Sequence, residues 1–186
     1  MASDHDFEEL LDGVRRGDDR AASELFRLMH PPLLRYLRSR ERRTADDIAA
    51  DVWLAISTGL GSFEGTSEDF RAWMFLIAHR RLIDQRRQTE RRLTGPAAPD
   101  TFESIPDPSA DDEVTSAHEA QDAVDRIVSL LSQEQADVVL LRVLGGLDAV
   151  TVAEILGRTP GWVRVTQHRA LRRLAAQLRP MLSGLL

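Results

Sequence analysis

The side chains best equipped for chemistry in this sequence are its arginines, which can grip phosphates and read guanine edges with two parallel hydrogen bonds. All 24 of its Lys+Arg residues are arginine. Six lie between Gly157 and Arg179 with no carboxylate among them, and seven lie between Arg71 and Arg92 against two acids. Between these blocks, Pro96 to Asp137 holds eleven acids and one arginine. The net charge of −6 averages this pattern away, although contact with phosphate is governed by local patches. Two basic segments separated by an acidic one therefore point to nucleic acid.

Other chemistries lack their residues. The chain has no cysteine, which removes disulfides, thiolate metal sites and thiol redox switches and fits a reducing compartment. His5, His30, His79, His118 and His168 are scattered without metal-ligand spacing, and no nucleophile elbow, P-loop or dinucleotide glycine pattern occurs. Asp46, Asp47 and Asp51 share a helix face but have no histidine nearby in sequence. No enzymatic activity, metal or cofactor is expected. The acidic N-terminus lacks a signal-peptide pattern, and apolar runs such as Val138–Leu141 are too short to span a bilayer. A cytoplasmic protein without membrane insertion is expected.

Helices must position these arginines, for no alternating β pattern of useful length occurs. The expected fold is all-α: two small helical domains, 1–92 and 117–186, joined by a flexible acidic linker over 93–116 containing Pro96, Pro99, Pro106 and Pro108. In the first domain, Leu25, Phe26, Leu28 and Met29 form an apolar face that Pro31 and Pro32 should interrupt. Leu33, Leu34, Tyr36 and Leu37 then resume it. Thr44, with Asp47 three residues on, is placed to cap a helix carrying Ile48, Val52, Trp53 and Ile56. Gly59, Gly61 and Gly65 mark a loop, followed by a long helix from about Asp69 to Arg87 with Phe70, Trp73, Met74, Ile77, Leu82 and Ile83 as its core set. In the second domain, Ile127, Leu130 and Leu131 form a short apolar stripe. Ser132 caps a helix bearing Val138, Val139, Leu141 and Val143, which Gly145-Gly146 ends.

Asp148 to Leu174 is the strongest local signal. Asp148 caps a short helix with Val152, Ile155 and Leu156; Gly157 ends it; Thr159-Pro160 opens another. This spacing is that of a helix-turn-helix, whose second helix enters the DNA major groove by its N-terminal half. Val163, Ala170, Leu171 and Leu174 are its expected buried face. Trp162, Arg164, Val165, Gln167 and His168 are then candidates for base-edge or sugar contact, and Arg169, Arg172 and Arg173 for phosphate clamps. The plainer alternative is a helix hairpin with a solvated arginine face. In the first domain, FRAWMFLIAHRRLIDQRR combines Arg71, Arg80, Arg86 and Arg87 with the rings of Phe70, Trp73 and Phe75. Charge plus stacking is how single-stranded nucleic acid is held; alternatively, Phe70 and Trp73 are core residues.

The chain resembles an extracytoplasmic-function sigma factor, the smallest class of the sigma-70 family. FRAWMFLIAHRRLIDQRR resembles that family's −10-recognition helix, TADDIAADVWLAI its polymerase-clamp-binding helix, and LSQEQADVVLLRVLGGLDAVTVAEILGRTPGWVRVTQHRALRRL its −35-recognition domain. The resemblance covers about Ala21–Arg92 and Asp122–Leu178, in the family's order. It implies promoter-specific transcription initiation with core RNA polymerase. The −10 contacts would be Phe63, Arg71, Trp73, His79, Arg80, Asp84, Arg86 and Arg87. The −35 contacts would be Thr159, Trp162, Arg164, Val165, Gln167, His168, Arg169, Arg172 and Arg173. Asp46, Asp47, Asp51 and Trp53 would meet the basic β′ clamp helices, an attraction of opposite charges; an acidic first turn favouring the helix dipole is the alternative. Phe63, in the glycine loop, would face a flipped base or else join the core. The resemblance further implies contact with the β flap, promoter DNA as a partner, and an anti-sigma inhibitor. It likens the acidic linker, with Asp107, Asp111 and Asp112, to a segment threading toward the polymerase active channel; a solubilising spacer is the alternative. Ala50, His79 and Trp162 depart from the family's usual residues. A stand-alone helix-turn-helix regulator with an N-terminal helical sensing domain is the competing reading.

Overall fold

The computed structural model describes residues 4–94 and 111–183. Within them all regular secondary structure is helical. An N-terminal set comprises α1 (Asp4–Arg15), α2 (Asp19–Arg40), α3 (Ala45–Gly59) and α4 (Ser67–Thr94). A C-terminal set comprises α5 (Asp111–Ser129), α6 (Gln133–Val143), α7 (Ala149–Leu156) and α8 (Pro160–Ser183). The expected linker is helical at both margins, since α4 runs to Thr94 and α5 starts at Asp111. Residues 95–110, including Asp107 and the four prolines, lie outside the described residues.

The N-terminal set is built on α2, which does not break at Pro31 and Pro32. Two prolines remove two ladder donors, a disruption of about 3 kcal/mol or more in a helix interior. Burial of one face outweighs it: Leu25 and Met29 before the prolines and Leu33, Tyr36 and Leu37 after them are all buried. Only an uninterrupted helix keeps those five side chains in register. Asp18 starts α2 by accepting from Arg20 N at 2.8 Å. Thr44 precedes α3 without capping it; its hydroxyl is buried with no hydrogen-bond partner among the described residues. A second cap in this half opens α4, two residues earlier than expected. Asp69 Oδ2 accepts from both the backbone N and Oγ1 of Thr66 at 2.8 Å, and Thr66 Oγ1 accepts from Asp69 N at 3.3 Å. These hydrogen bonds hold the Asp69 carboxyl below its usual range.

In the C-terminal set, Ser132 accepts from Gln135 N while the Gln135 side chain accepts from Ser132 N, a reciprocal cap for α6. Val138, Val139, Leu140 and Leu141 are buried on every side of α6. Val143, expected on the same core face, is 69% exposed at the helix end. On α8 the inward set is Val163, Thr166, Ala170 and Leu174, spaced by three and four. Leu171 lies one residue, about 100°, off that line, and half of it is exposed rather than buried.

The two sets also touch. Buried apolar side chains form one cluster from Phe7 to Val163, with α5 against α2 and α7 against α4. At the junction, Arg40 pairs with Asp137, Nε to Oδ1 at 2.8 Å, with side chains only 7% and 13% exposed. Arg42 pairs with Asp125 nearby at 3.3 Å.

Candidate nucleic-acid interface

The α7–α8 turn is tight because each of its residues has a local task. Asp148 Oδ1 accepts from Thr151 N at 2.7 Å to begin α7. Gly157 ends α7 in the left-handed conformation, φ 62° and ψ 40°, which a Cβ would strain. Thr159 Oγ1 accepts from Trp162 N at 3.2 Å, capping α8 with Pro160 at its first position. The turn presents the start of α8 as an open edge. Arg164, Val165, His168, Arg169, Arg172 and Arg173 are exposed along it, as is Thr159. Two candidates are engaged within the chain. Gln167 is half-buried and its Oε1 accepts from Arg142 Nε at 3.1 Å, while Arg142 also donates to the Leu147 carbonyl. Trp162 is half-buried beneath the Arg158 guanidinium, 5.1 Å from its ring centre. Arg158, not anticipated from sequence, reaches Glu134 at 2.9 Å and so ties the turn to α6.

The aromatic–basic helix α4 divides its residues differently. Phe70 and Phe75 are wholly buried, so neither ring is available to stack on a base: Phe70 packs against Phe7 and Phe75 against Tyr36. Trp73 and Phe63 remain half-buried and stack on each other, ring centres 5.2 Å apart and 12° from parallel. Gly59 makes room for them, since a Cβ there would come within 2.8 Å of the Trp73 ring. Arg15 of α1 braces this loop by donating to the Phe63 carbonyl. Gly59 had only a loop signal in the sequence, and Arg15 had none.

Further along α4, Arg80, Asp84 and Arg87 are exposed, whereas Arg71, His79 and Arg86 are half-buried. His79 Nδ1 hydrogen-bonds the Tyr36 hydroxyl at 2.9 Å. Burial, then the charges of Arg40 and Arg86, lower its pKa to about 4. Tyr36 is shifted upward, chiefly by burial. Arg86 donates to the Arg40 carbonyl at 3.2 Å. Arg71 Nε is buried without a hydrogen-bond partner among the described residues. Asp51 of α3 lines a cleft together with Arg81, Asp84 and Arg87 of α4.

On α3, Asp46, Asp47 and Asp51 are all exposed, and Asp46 pairs with Arg38 at 3.0 Å. Trp53 Nε1 donates to His30 Nδ1 at 3.1 Å. Phe26 stacks on His30 at 4.4 Å and lies 5.0 Å from the Trp53 ring. Burial lowers the His30 pKa, a shift in favour of the neutral ring that can accept this bond. Phe26 and Leu54 are 43% and 67% exposed. The acidic face thus borders an aromatic shelf, of which the sequence had pointed only to Trp53.

Residues 25–92 match the sigma-70 region 2 family and residues 121–174 match sigma-70 region 4. The chain is 34% identical over 169 residues to the ECF RNA polymerase sigma factor ShbA of Streptomyces griseus, covering 86% of this chain and 88% of that relative. The chain belongs to the ECF RNA polymerase sigma factors. The sigma factor is also 33% identical over 172 residues to SigD of Mycobacterium tuberculosis, covering 87% of this chain and 79% of the relative. Its fold is shared with CnrH, solved with the cytosolic domain of CnrY (TM-score 0.58, 22% identity, 92% and 96% coverage). It is likewise shared with Bartonella quintana RpoE, solved with the anti-sigma factor NepR (TM-score 0.61, 22% identity, 84% and 96% coverage). Region 2 takes in most of α2 with α3 and α4; region 4 takes in the end of α5 through the first half of α8. A sigma factor directs transcription initiation, and two sigma regions in their proper order disfavour the stand-alone regulator. Among the described residues, no helix is long and apolar enough to cross a membrane.

Proposed function

We propose that this sigma factor works in the cytoplasm as a non-catalytic adaptor, reading −35 DNA with α8 and −10 DNA with the α3–α4 loop and α4. Arg164, Val165 and His168 reach base edges, with Trp162 and Gln167 joining once released from Arg158 and Arg142. Thr159, Arg169, Arg172 and Arg173 hold the backbone. Phe63 and Trp73 offer a stacked ring platform for an extruded base, flanked by Arg71, His79, Arg80, Asp84, Arg86 and Arg87. Opening a base pair requires a few kcal/mol, and stacking worth about 1–3 kcal/mol per base offsets it.

Core polymerase docks through its β′ clamp helices on Asp46, Asp47, Asp51 and Trp53, and through its β flap on the C-terminal set. Bartonella quintana RpoE, which shares the fold, was solved with the anti-sigma factor NepR, and an inhibitor of that kind is proposed here. The carrying observation is the acid-free, exposed arginine face of α8 emerging from the Gly157 turn. The test is run-off transcription with purified core polymerase across a genomic promoter library. Promoter-specific transcripts dependent on the chain are expected; none at any promoter would reject the proposal.

A further inference from the structure

Among the residues of α8 nominated to read bases, Gln167 has one end of its amide already engaged. It sits one turn beyond Arg164, so it borders the exposed arginine face. Arg142 of α6 donates from Nε to Gln167 Oε1 at 3.1 Å. A guanidinium carries donors and no acceptor, so only the amide oxygen can face it. The two N–H donors of the amide are then the groups left for DNA.

Arg142 is itself fixed. It also donates to the Leu147 carbonyl, and the Asp148 carboxyl that caps α7 lies within its field. The guanidinium belongs to the turn between α6 and α7, so separation of the pair has to come from Gln167.

The bases differ in what they ask of such an amide. Adenine pairs with glutamine through two bonds, N6–H into Oε1 and Nε2–H into N7. Guanine presents N7 and O6, both acceptors, which the amide NH2 can meet while Oε1 stays on Arg142. The adjacent positive charge also favours an acceptor edge over a donor edge.

We propose that Arg142 sets base preference through Gln167: by holding the amide oxygen it disfavours adenine relative to guanine at one −35 position.

The bond to be broken has a charged donor, which makes it one of the stronger kinds. Removing the guanidinium should therefore raise the adenine-to-guanine ratio about tenfold. A general loss of stability would weaken all sequences together and leave that ratio where it was.

The inference rests on the −35 reading of α8, and its test keeps the two apart. Holoenzyme formed with the full chain is offered a promoter library with all four bases at each −35 position, and the bound sequences are counted. Absence of any −35 preference in the unaltered chain would sink both readings. With preference present, Arg142→Met is expected to shift one position toward adenine about tenfold, and Gln167→Ala added to it should abolish the gain. Arg142→Lys keeps a cation beside the Leu147 carbonyl and so guards against loss of the fold. With one nitrogen in place of the fork, it should shift the ratio the same way by less. A ratio unmoved in Arg142→Met and Arg142→Lys, or a shift that persists without Gln167, would overturn the inference and leave the −35 reading standing.

Discussion

Helices α4 and α8 carry the same kind of side chain and spend it differently. On α8 the arginines stand clear of the protein, with Arg164, Arg169, Arg172 and Arg173 all exposed. On α4, Arg71 and Arg86 are half-buried, Arg86 bonded to the Arg40 carbonyl and Arg71 beside Gly146. The difference follows from what each helix supports. The outer face of α8 meets only solvent, whereas α4 is the wall on which both its own bundle and the C-terminal set pack. Arginine density is the same sequence signal in both places, but tertiary packing decides which arginines stand exposed.

The sharpest test of that contrast lies within α4 itself. Phe75→Ala should destabilise the N-terminal set by about 3–5 kcal/mol, as truncation of a buried ring does, read by urea unfolding. Trp73→Ala, at the half-exposed platform, should lose less stability and instead weaken −10 single-strand binding by about 1–3 kcal/mol. Equal unfolding losses with unchanged DNA affinity would make Trp73 a core residue too.

Next in size is a pH effect confined to the α4 side. His79 is neutral in the folded chain because its pKa is lowered from 6.5 to about 4. The unfolded histidine takes up a proton first as pH falls, so folding is fully supported above about 6.5 and loses stability toward pH 4. The loss should reach about 2–3 kcal/mol by pH 4. Urea unfolding from pH 7 to pH 4 should reveal it, and His79→Gln should flatten the slope. An unaltered slope would assign the acid loss to other groups.

On α8 the expected effects concern DNA rather than folding. In the holoenzyme, Arg164→Ala should lose about 1–3 kcal/mol at one −35 position and relax preference there. Arg173→Ala should weaken all sequences evenly and lower the salt slope by about one unit. Binding titrations over −35 variants at several salt concentrations distinguish them; identical uniform losses would undo the division into base and phosphate contacts. The smallest effect contrasts two caps. Ser132→Ala should lower C-terminal stability by about 1 kcal/mol, while Thr44→Ala, whose hydroxyl caps nothing, should be nearly neutral in thermal unfolding.

Much was legible before any coordinates. Ser132, Asp148, Gly157 and Thr159-Pro160 act through hydrogen bonds and backbone angles set within a few residues, so their roles could be read from spacing alone. The helical period likewise placed Val138, Leu141, Val152, Val163 and Ala170 inside. Where a distant element intervened, spacing was not enough. Pro31 and Pro32 obey a local rule that burial of Leu33, Tyr36 and Leu37 overrides. Phe75 and Trp73 are two residues apart, yet one is sealed against Tyr36 and the other stacked at the surface on Phe63. Gly59 makes that stack possible through a contact fourteen residues away in sequence.

The sequence alone determined the helical class, the two arginine blocks and the turn between α7 and α8, because periodicity, charge and capping are properties of neighbours in the chain. Tertiary structure decided the meeting of Arg40 with Asp137, the neutral state of His79 and the pairing of Phe63 with Trp73. Each of these depends on water being excluded where separate helices converge, and the strength of a charge, a proton equilibrium or a ring contact there is set by surroundings that no local pattern encodes.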